Sequence, residues 1–285
     1  MVVCTIATSV ALKDLQLFLY TLELFNESPP MVYLLTDTAI HTNPPSYKGA
    51  LHTKPTLDKY AHMNRNQMTH TKGITYRTAW EDFMMEKATV MEWAFAEGHQ
   101  EIFFCDCDIC FLGPLPKVPP EAKLGVSQHR IRPSDEQRFG IYNAGFVYSA
   151  DPTFPAQWRE AAHTSRYYDQ TALEDIALKT WAAQLYEFPV QINYGWWRMY
   201  QGTQSPQALQ SEWSIFRRDH TSGLCVSGKP LLSIHTHFGE RTDIVTCAFN
   251  DYVFQYLCRL GKYPPAAALV KFLTREFQHL KSSKN

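Results

Sequence analysis

No stretch of this chain approaches the roughly 18–20 consecutive apolar residues that a membrane-spanning helix requires. A basic excess is missing as well. With 27 Lys and Arg against 28 Asp and Glu, the formal net charge is −1, which argues against a nucleic-acid footprint. Residues 1–25 lack the signal-peptide layout, because Leu12-Lys13-Asp14 interrupts the apolar stretch and no small-residue cleavage site follows. The glycine-rich G-x-G-x-x-G turn is absent after the first apolar run, which counts against NAD or FAD chemistry. Internal repeats and low-complexity tracts are also absent. Cysteines number seven, odd and scattered, so a reduced cytosolic setting fits better than a disulfide framework. What remains is a globular composition, 45% hydrophobic and 19% charged over 285 residues, enough for a sizeable core.

The opening reads as a βαβ unit. Val2–Ala7 is a buried strand, Val10–Phe25 has helical apolar spacing, and Met31–Leu35 is a second strand ending at Thr36-Asp37. A parallel sheet with right-handed crossovers is the expected result. Residues 38–75 read as a long connection, whose histidines (His41, His52, His62, His70) are solvated or, for one of them, near substrate. Arg77–Glu97 is the clearest helix, with Gly98 as its C-terminal stop. Strands are expected at Lys123–Ser127, Tyr142–Tyr148 and Leu231–Phe238, with a polar loop at Gln128–Gly140. Further helices are expected at Pro155–Ala162, Gln170–Leu185, Phe249–Leu260 and Pro265–Leu280.

Residues 101–115 carry the chemistry. An apolar run delivers Asp106 and Asp108 at spacing two before a turn at Gly113-Pro114. In an extended strand both carboxylates share one face, while Cys105, Cys107 and Ile109 take the other. Two carboxylates aimed together repel unless a cation sits between them, and oxygen ligands suit Mg²⁺ or Mn²⁺ completed by substrate phosphates. The spacing of Cys105, Cys107 and Cys110 also invites zinc. Two of the three lie in an apolar strand without a second cysteine pair, so packing is the better reading.

Lys87 falls in the middle of the apolar stripe formed by Trp80, Met84, Met91 and Ala94. A lysine there either pairs with a core carboxylate or reaches a phosphate. Asp169 is placed to cap the helix that follows it. Trp196-Trp197 is either core or a platform for a sugar's C–H face, and Gly145 permits another group to approach the backbone closely. His235 and His237 share one strand face and can supply a ligand to the metal that the two aspartates need.

The ordered set of βαβ opening, Lys87 on its helix, Asp106-Cys107-Asp108, Asn143-Ala144-Gly145, Tyr168-Asp169-Gln170 and a late strand histidine resembles the GT-A glycosyltransferases of the nucleotide-diphospho-sugar transferase group. The likeness spans about residues 1–245, and the compact format is also similar to soluble transferases of large algal viruses. The resemblance implies an α/β fold, a single Rossmann-like domain over 1–285 with a mainly parallel central sheet flanked by helices. Residues 1–112 would form the nucleotide-binding half, 113–245 the sugar and acceptor half, and 246–285 the C-terminal helices.

It implies site roles as well. Asp106 and Asp108, with His235 or His237, would hold Mn²⁺ or Mg²⁺, the match to His235 being slightly better. Thr5, Ala7, Thr8 and Asp37 would line the base and ribose of a UDP-sugar. Lys87 and the Asp106-Cys107-Asp108 segment would meet the diphosphate. Asn143, Ala144, Gly145, Gln170, Trp196 and Trp197 would approach sugar or a glycan acceptor. Asp169 would be the base of an inverting transfer, or would position sugar and stabilise positive charge in a retaining one. The family's basic residue after the late histidine is matched only by Arg241. An aspartate-nucleophile phosphohydrolase and a non-catalytic carbohydrate binder are the competing readings. The hydrolase expects its motif near the N-terminus, and a binder needs no carboxylate pair facing a lysine helix.

Overall fold

The computed structural model describes residues 1–218, 221–260 and 263–280. Strand β1 (Val2–Ile6) is buried at every position. It is followed by a 3₁₀ turn and helix α1 (Leu12–Leu24), then β2 (Met31–Thr36). The segment 38–75 is more ordered than its weak periodicity predicts. It holds α2 (Thr38–Thr42), the polar strand β3 (Leu51–Pro55) and α3 (Arg65–His70). β3 lies at the sheet's edge with one flank free, so it needs no alternating apolar pattern.

Helix α4 (Ala79–Ala96) begins with a reciprocal capping box between Thr78 and Glu81, which fixes its register and so the height of Lys87. It leads into β4 (Ile102–Cys105). Here the single long strand expected over 101–110 is corrected. β4 stops at Cys105, the chain turns through Asp106–Ile109 with the Ile109 N–H donating to the Asp106 carbonyl at 3.1 Å, and β5 (Ile109–Phe111) enters a different sheet. Asp106 and Asp108 are thus neighbours on a turn, not alternate residues of one pleated face.

Next come β6 (Leu124–Gln128), α5 (Pro133–Phe139) within the expected loop, β7 (Tyr142–Ser149) and α6 (Phe154–Ala162). Helix α7 (Tyr168–Lys179) starts at Tyr168, so Tyr167, not Asp169, is its N-cap, and Asp169 sits inside the first turn. It ends well before Leu185, where β8 (Leu185–Phe188) begins. The remainder is β9 (Tyr194–Gly195), α8 (Trp196–Tyr200), α9 (Pro206–Ser211), the pair β10 (Trp213–Arg218) and β11 (Thr221–Val226), β12 (Lys229–Pro230), β13 (Ser233–His235), α10 (Ile244–Arg259) and α11 (Pro264–Glu276). β13 is shorter than the expected strand and leaves His237 outside it. Of the segment 246–285, residues 261, 262 and 281–285 lie outside the described ones.

The central sheet has the order β3-β2-β1-β4-β7-β6-β8. Its pairs are parallel except those β7 makes with β4 and β6. Successive residues of β1 feed opposite cores. Cys4 and Ile6 pack with α4, and Val3 packs with Leu15 and Phe18 of α1. A third core gathers Trp213, Phe249, Phe254 and Leu269 around α10 and α11. From β1 the chain crosses to β2 on one side and later reaches β4 on the other. The crevice at the carboxyl ends of β1 and β4 is therefore a topological switch point, where ligands of open α/β sheets bind. A small second sheet, β5-β13-β9, sets β13 beside the turn that leaves β4.

Candidate active site

The two aspartates converge through the turn, and pairing between the sheets brings a histidine to them. His235 pairs with Ile109 in β5 and with Gly195 in β9, so its position is fixed by strands far apart in sequence. Its Nε2 lies 3.1 Å from the Asp108 carboxylate and 3.9 Å from Asp106 Oδ2. Asp106, Asp108 and His235 each offer an atom within 4.8 Å of the others. Among the described residues no cysteine joins a group of this kind, and all seven thiols are free, so packing holds for Cys105 and Cys110. Burial drives the thiols of Cys105 and Cys107 well above their ordinary values, the opposite of what a zinc ligand needs.

The surroundings of the two aspartates differ. Asp106 faces the buried Lys87, whose Nζ is 3.1 Å from Asp106 Oδ1 and 2.8 Å from Asp169 Oδ2, and donates to the Ala144 carbonyl at 3.3 Å. Burial alone would lower the Lys87 pKa, but the two carboxylates outweigh it and raise it. Asp106 itself is shifted upward, chiefly by burial and against the pull of Lys87. Asp108 meets His235 and His237 instead. Burial would raise its pKa too, yet the two imidazoles hold it below the usual carboxylate range. His237 bridges outward, with Nε2 3.1 Å from Asp108 and Nδ1 3.1 Å from Asp14, and the Asp108 charge lifts it to about 10. It stands outside the converging group.

Behind His235 runs a line of side-chain amides. Its Nδ1 is 2.9 Å from Asn193 Oδ1, Asn193 Nδ2 donates to Asn143 Oδ1 at 2.9 Å, and Asn143 Oδ1 also accepts the Gly145 N–H at 2.9 Å. Asn143 Nδ2 lies 3.2 Å from both His129 Nε2 and Gln170 Oε1. Trp197 sets its indole edge-on to His235, centroids 5.0 Å apart, and Trp196 packs partly buried beside it. A Cβ at Gly145 would come within 2.5 Å of His235 Cε1 and 2.6 Å of Asp106 Oδ2. That position is kept bare by its two neighbours.

Some expected residues lie further back. Thr5, Ala7 and Thr8 line the end of β1, all buried. Asp37 caps α2 through Ile40 and accepts the Ser9 N–H at 2.6 Å; burial pushes its pKa up, but these backbone donors win and hold it low. It thereby ties the tips of β1 and β2 together. Cys107 is half-buried on the turn, Gln170 is half-buried with both amide atoms engaged, and Arg241 lies exposed on a loop organised by Glu240. Sequence reading missed Asp14, His129 and Asn193. The first lies in the first turn of α1, and the other two sit in loops.

No family model matches the sequence, and no curated protein matches it. Solved structures do. The chain is similar to the galactosyltransferase LgtC, solved with donor and acceptor sugar analogues, with a TM-score of 0.55 and 11% identity over 89% of this chain and 94% of that one. It is similar also to the glycosyltransferase GlyE of Streptococcus pneumoniae TIGR4, with a TM-score of 0.53 and 11% identity over 100% of this chain. This chain spans 65% of the length of GlyE. The fold is GT-A. The Asp106–Asp108–His235 group lies just past the carboxyl end of β4, and the mostly parallel seven-stranded sheet with flanking helices is the expected architecture. At such identity the likeness speaks for the fold alone. Among the described residues no helix is long and apolar enough to cross a membrane.

Proposed function

We propose that the chain is a divalent-metal-dependent glycosyltransferase that moves a sugar, xylose or a hexose, from a UDP-type nucleotide-diphosphate donor to a hydroxyl of a glycan. The observation that carries this reading is the convergence of Asp106, Asp108 and His235 at the carboxyl ends of β1 and β4 in a GT-A fold. Two carboxylate oxygens and one imidazole nitrogen fit Mn²⁺ better than Mg²⁺, which prefers an all-oxygen set. When bound, the ion supplies Lewis-acid neutralisation of the departing diphosphate.

The chain's own residues do the rest. Thr5, Ala7, Thr8 and Asp37 frame the base and ribose, and Gly145, by lacking a Cβ, lets His235 and Asp106 draw together beside the donor. Lys87 has its donors spent on Asp106, Asp169 and Ala144, so it acts on the donor through the carboxylates that it fixes. Asp169 is held by that ammonium, and its backbone carbonyl accepts the Trp158 indole N–H at 2.8 Å. The Lys87 ammonium occupies Asp169 Oδ2, so that oxygen is not free to meet an acceptor hydroxyl. The pairing therefore favours Asp169 as a fixed negative charge beside the anomeric carbon over Asp169 as a base. Seven free cysteines suit work in a reducing compartment.

Calorimetry with UDP and Mn²⁺ tests the site: binding should require the ion and be lost in Asp108→Ala. Binding that is indifferent to metal would overturn the reading. Asp169→Asn should spare donor binding and slow turnover by about 10²-fold, the scale of losing one fixed electrostatic group. The anomeric configuration of the product decides the role of Asp169, since inversion would demand a base and return that part to it.

A further inference from the structure

The amide line behind His235 has a direction, and two backbone groups set it. The Gly145 N–H can only donate, and the atom it meets at 2.9 Å is Asn143 Oδ1. This orients the Asn143 amide, so the Asn193 atom 2.9 Å from the same oxygen must be Nδ2. Asn193 Oδ1 is then turned to His235 Nδ1, so that nitrogen must carry a proton, and Nε2, 3.1 Å from the Asp108 carboxylate, is the nitrogen that faces the metal group. The other end gives the same answer independently. The Gly140 carbonyl can only accept, so the His129 nitrogen 2.7 Å away, Nδ1, bears the hydrogen. His129 Nε2 thus offers a lone pair, which suits the donating Asn143 Nδ2 facing it at 3.2 Å.

We propose that Asn193 is a positioning residue: acting through this relay, it holds the His235 proton on Nδ1 and so leaves Nε2 free as a metal ligand. The site is built for that task. Asn193 is fully buried, and its backbone N–H donates to Ser233 Oγ at 2.8 Å, one strand residue pair from His235. Its φ of 55° lies in the left-handed region, which asparagine tolerates better than other side-chain-bearing residues. The Trp197 edge against the His235 ring opposes its rotation. Partners of this type fix the ring orientation and raise the basicity of metal-bound histidines.

The inference rests on the metal reading above, and two substitutions compatible with the backbone test it separately. Asn193→Gly removes the acceptor and should weaken Mn²⁺ binding about ten- to a hundredfold by calorimetry. Asn193→Asp keeps an acceptor for Nδ1 but sets an oxygen against Asn143 Oδ1. It should lower the thermal midpoint while Mn²⁺ affinity stays near wild type. If both variants lose affinity in step with stability, or if Asn193→Gly binds like wild type, the inference is overturned. Nitrogen-15 shifts of His235 in the Mg²⁺-loaded wild type give a check that needs no variant, and a proton found on Nε2 would sink the proposal. A wild-type protein that binds neither ion would instead remove the metal site itself, and the inference with it.

Discussion

Asp106 and Asp108 are two residues apart and converge on His235, yet what stands behind each of them differs. On the Asp106 side the structure uses charge: a buried ammonium between two carboxylates, with Lys87 2% exposed and Asp169 5%. On the Asp108 side there is an ion pair too, with the exposed His237, but the second imidazole, His235, is backed by neutral amides in a line through Asn193 and Asn143 to two backbone groups. The charged side fixes position by strong forces that depend little on orientation. The amide side fixes which atom of each group faces which, because a donor cannot replace an acceptor. A site that must bind a cation gains from both. The first keeps a carboxylate in a buried place, and the second keeps a nitrogen lone pair aimed.

Removing Lys87 is the severest way to break this contrast. Lys87→Met would leave the buried Asp169 beside the half-buried Asp106 without a cation, and breaking a buried pair such as Lys87–Asp169 costs about 3–5 kcal/mol. Urea unfolding without metal should show a loss of that size, and added Mn²⁺ should restore part of it by shielding Asp106. A loss below about 1 kcal/mol would mean that the two carboxylates find solvent or protons instead, and that charge does not hold this side.

The two sides also differ in how far the sequence discloses them. A lysine on an apolar helical stripe and two aspartates after an apolar run are local anomalies, visible because they violate the periodicity around them. They pointed to side chains that the structure does bring together, but by a partly wrong route, since the strand thought to align Asp106 and Asp108 breaks into a turn at Cys105. Strands of four and three residues leave too little periodic signal to show where one sheet ends and another begins. The mostly parallel sheet was legible from the βαβ opening and the buried strands. The amide side was not. Asn193 and His129 are ordinary polar residues in loops, and what makes them matter is pairing between β5, β9 and β13, which is non-local. His235 was legible only as one of two strand histidines. The short β13, ending at His235, is what separates it from His237. Lys87 shows the remaining limit: its burial could be read, but whether its partner was a carboxylate or a phosphate needed the fold.

Acid gives a gentler break, aimed at the amide side. His129 is 5% exposed, and burial pushes it down to about 4 from an ordinary 6.5. A depressed histidine makes the unfolded chain the better proton acceptor between those two values. Stability therefore falls as pH drops from about 6.5 toward 4, then levels once the folded protein also takes the proton. At about 1.4 kcal/mol per unit, the shift amounts to about 3 kcal/mol. Carboxylates titrate across part of this range in any variant, so the measurement is the difference between wild type and His129→Gln in unfolding free energy at pH 7 and pH 4. The wild type should lose more, by most of that amount. The proton would arrive on Nε2, opposite the Asn143 amide N–H, where two donors cannot pair. The relay should then loosen and Mn²⁺ affinity should fall in wild type over the same range more steeply than in the variant. Equal stability slopes in the two proteins would show that His129 is not sealed from water, and with that the amide side would lose the rigidity that distinguishes it from the charged one.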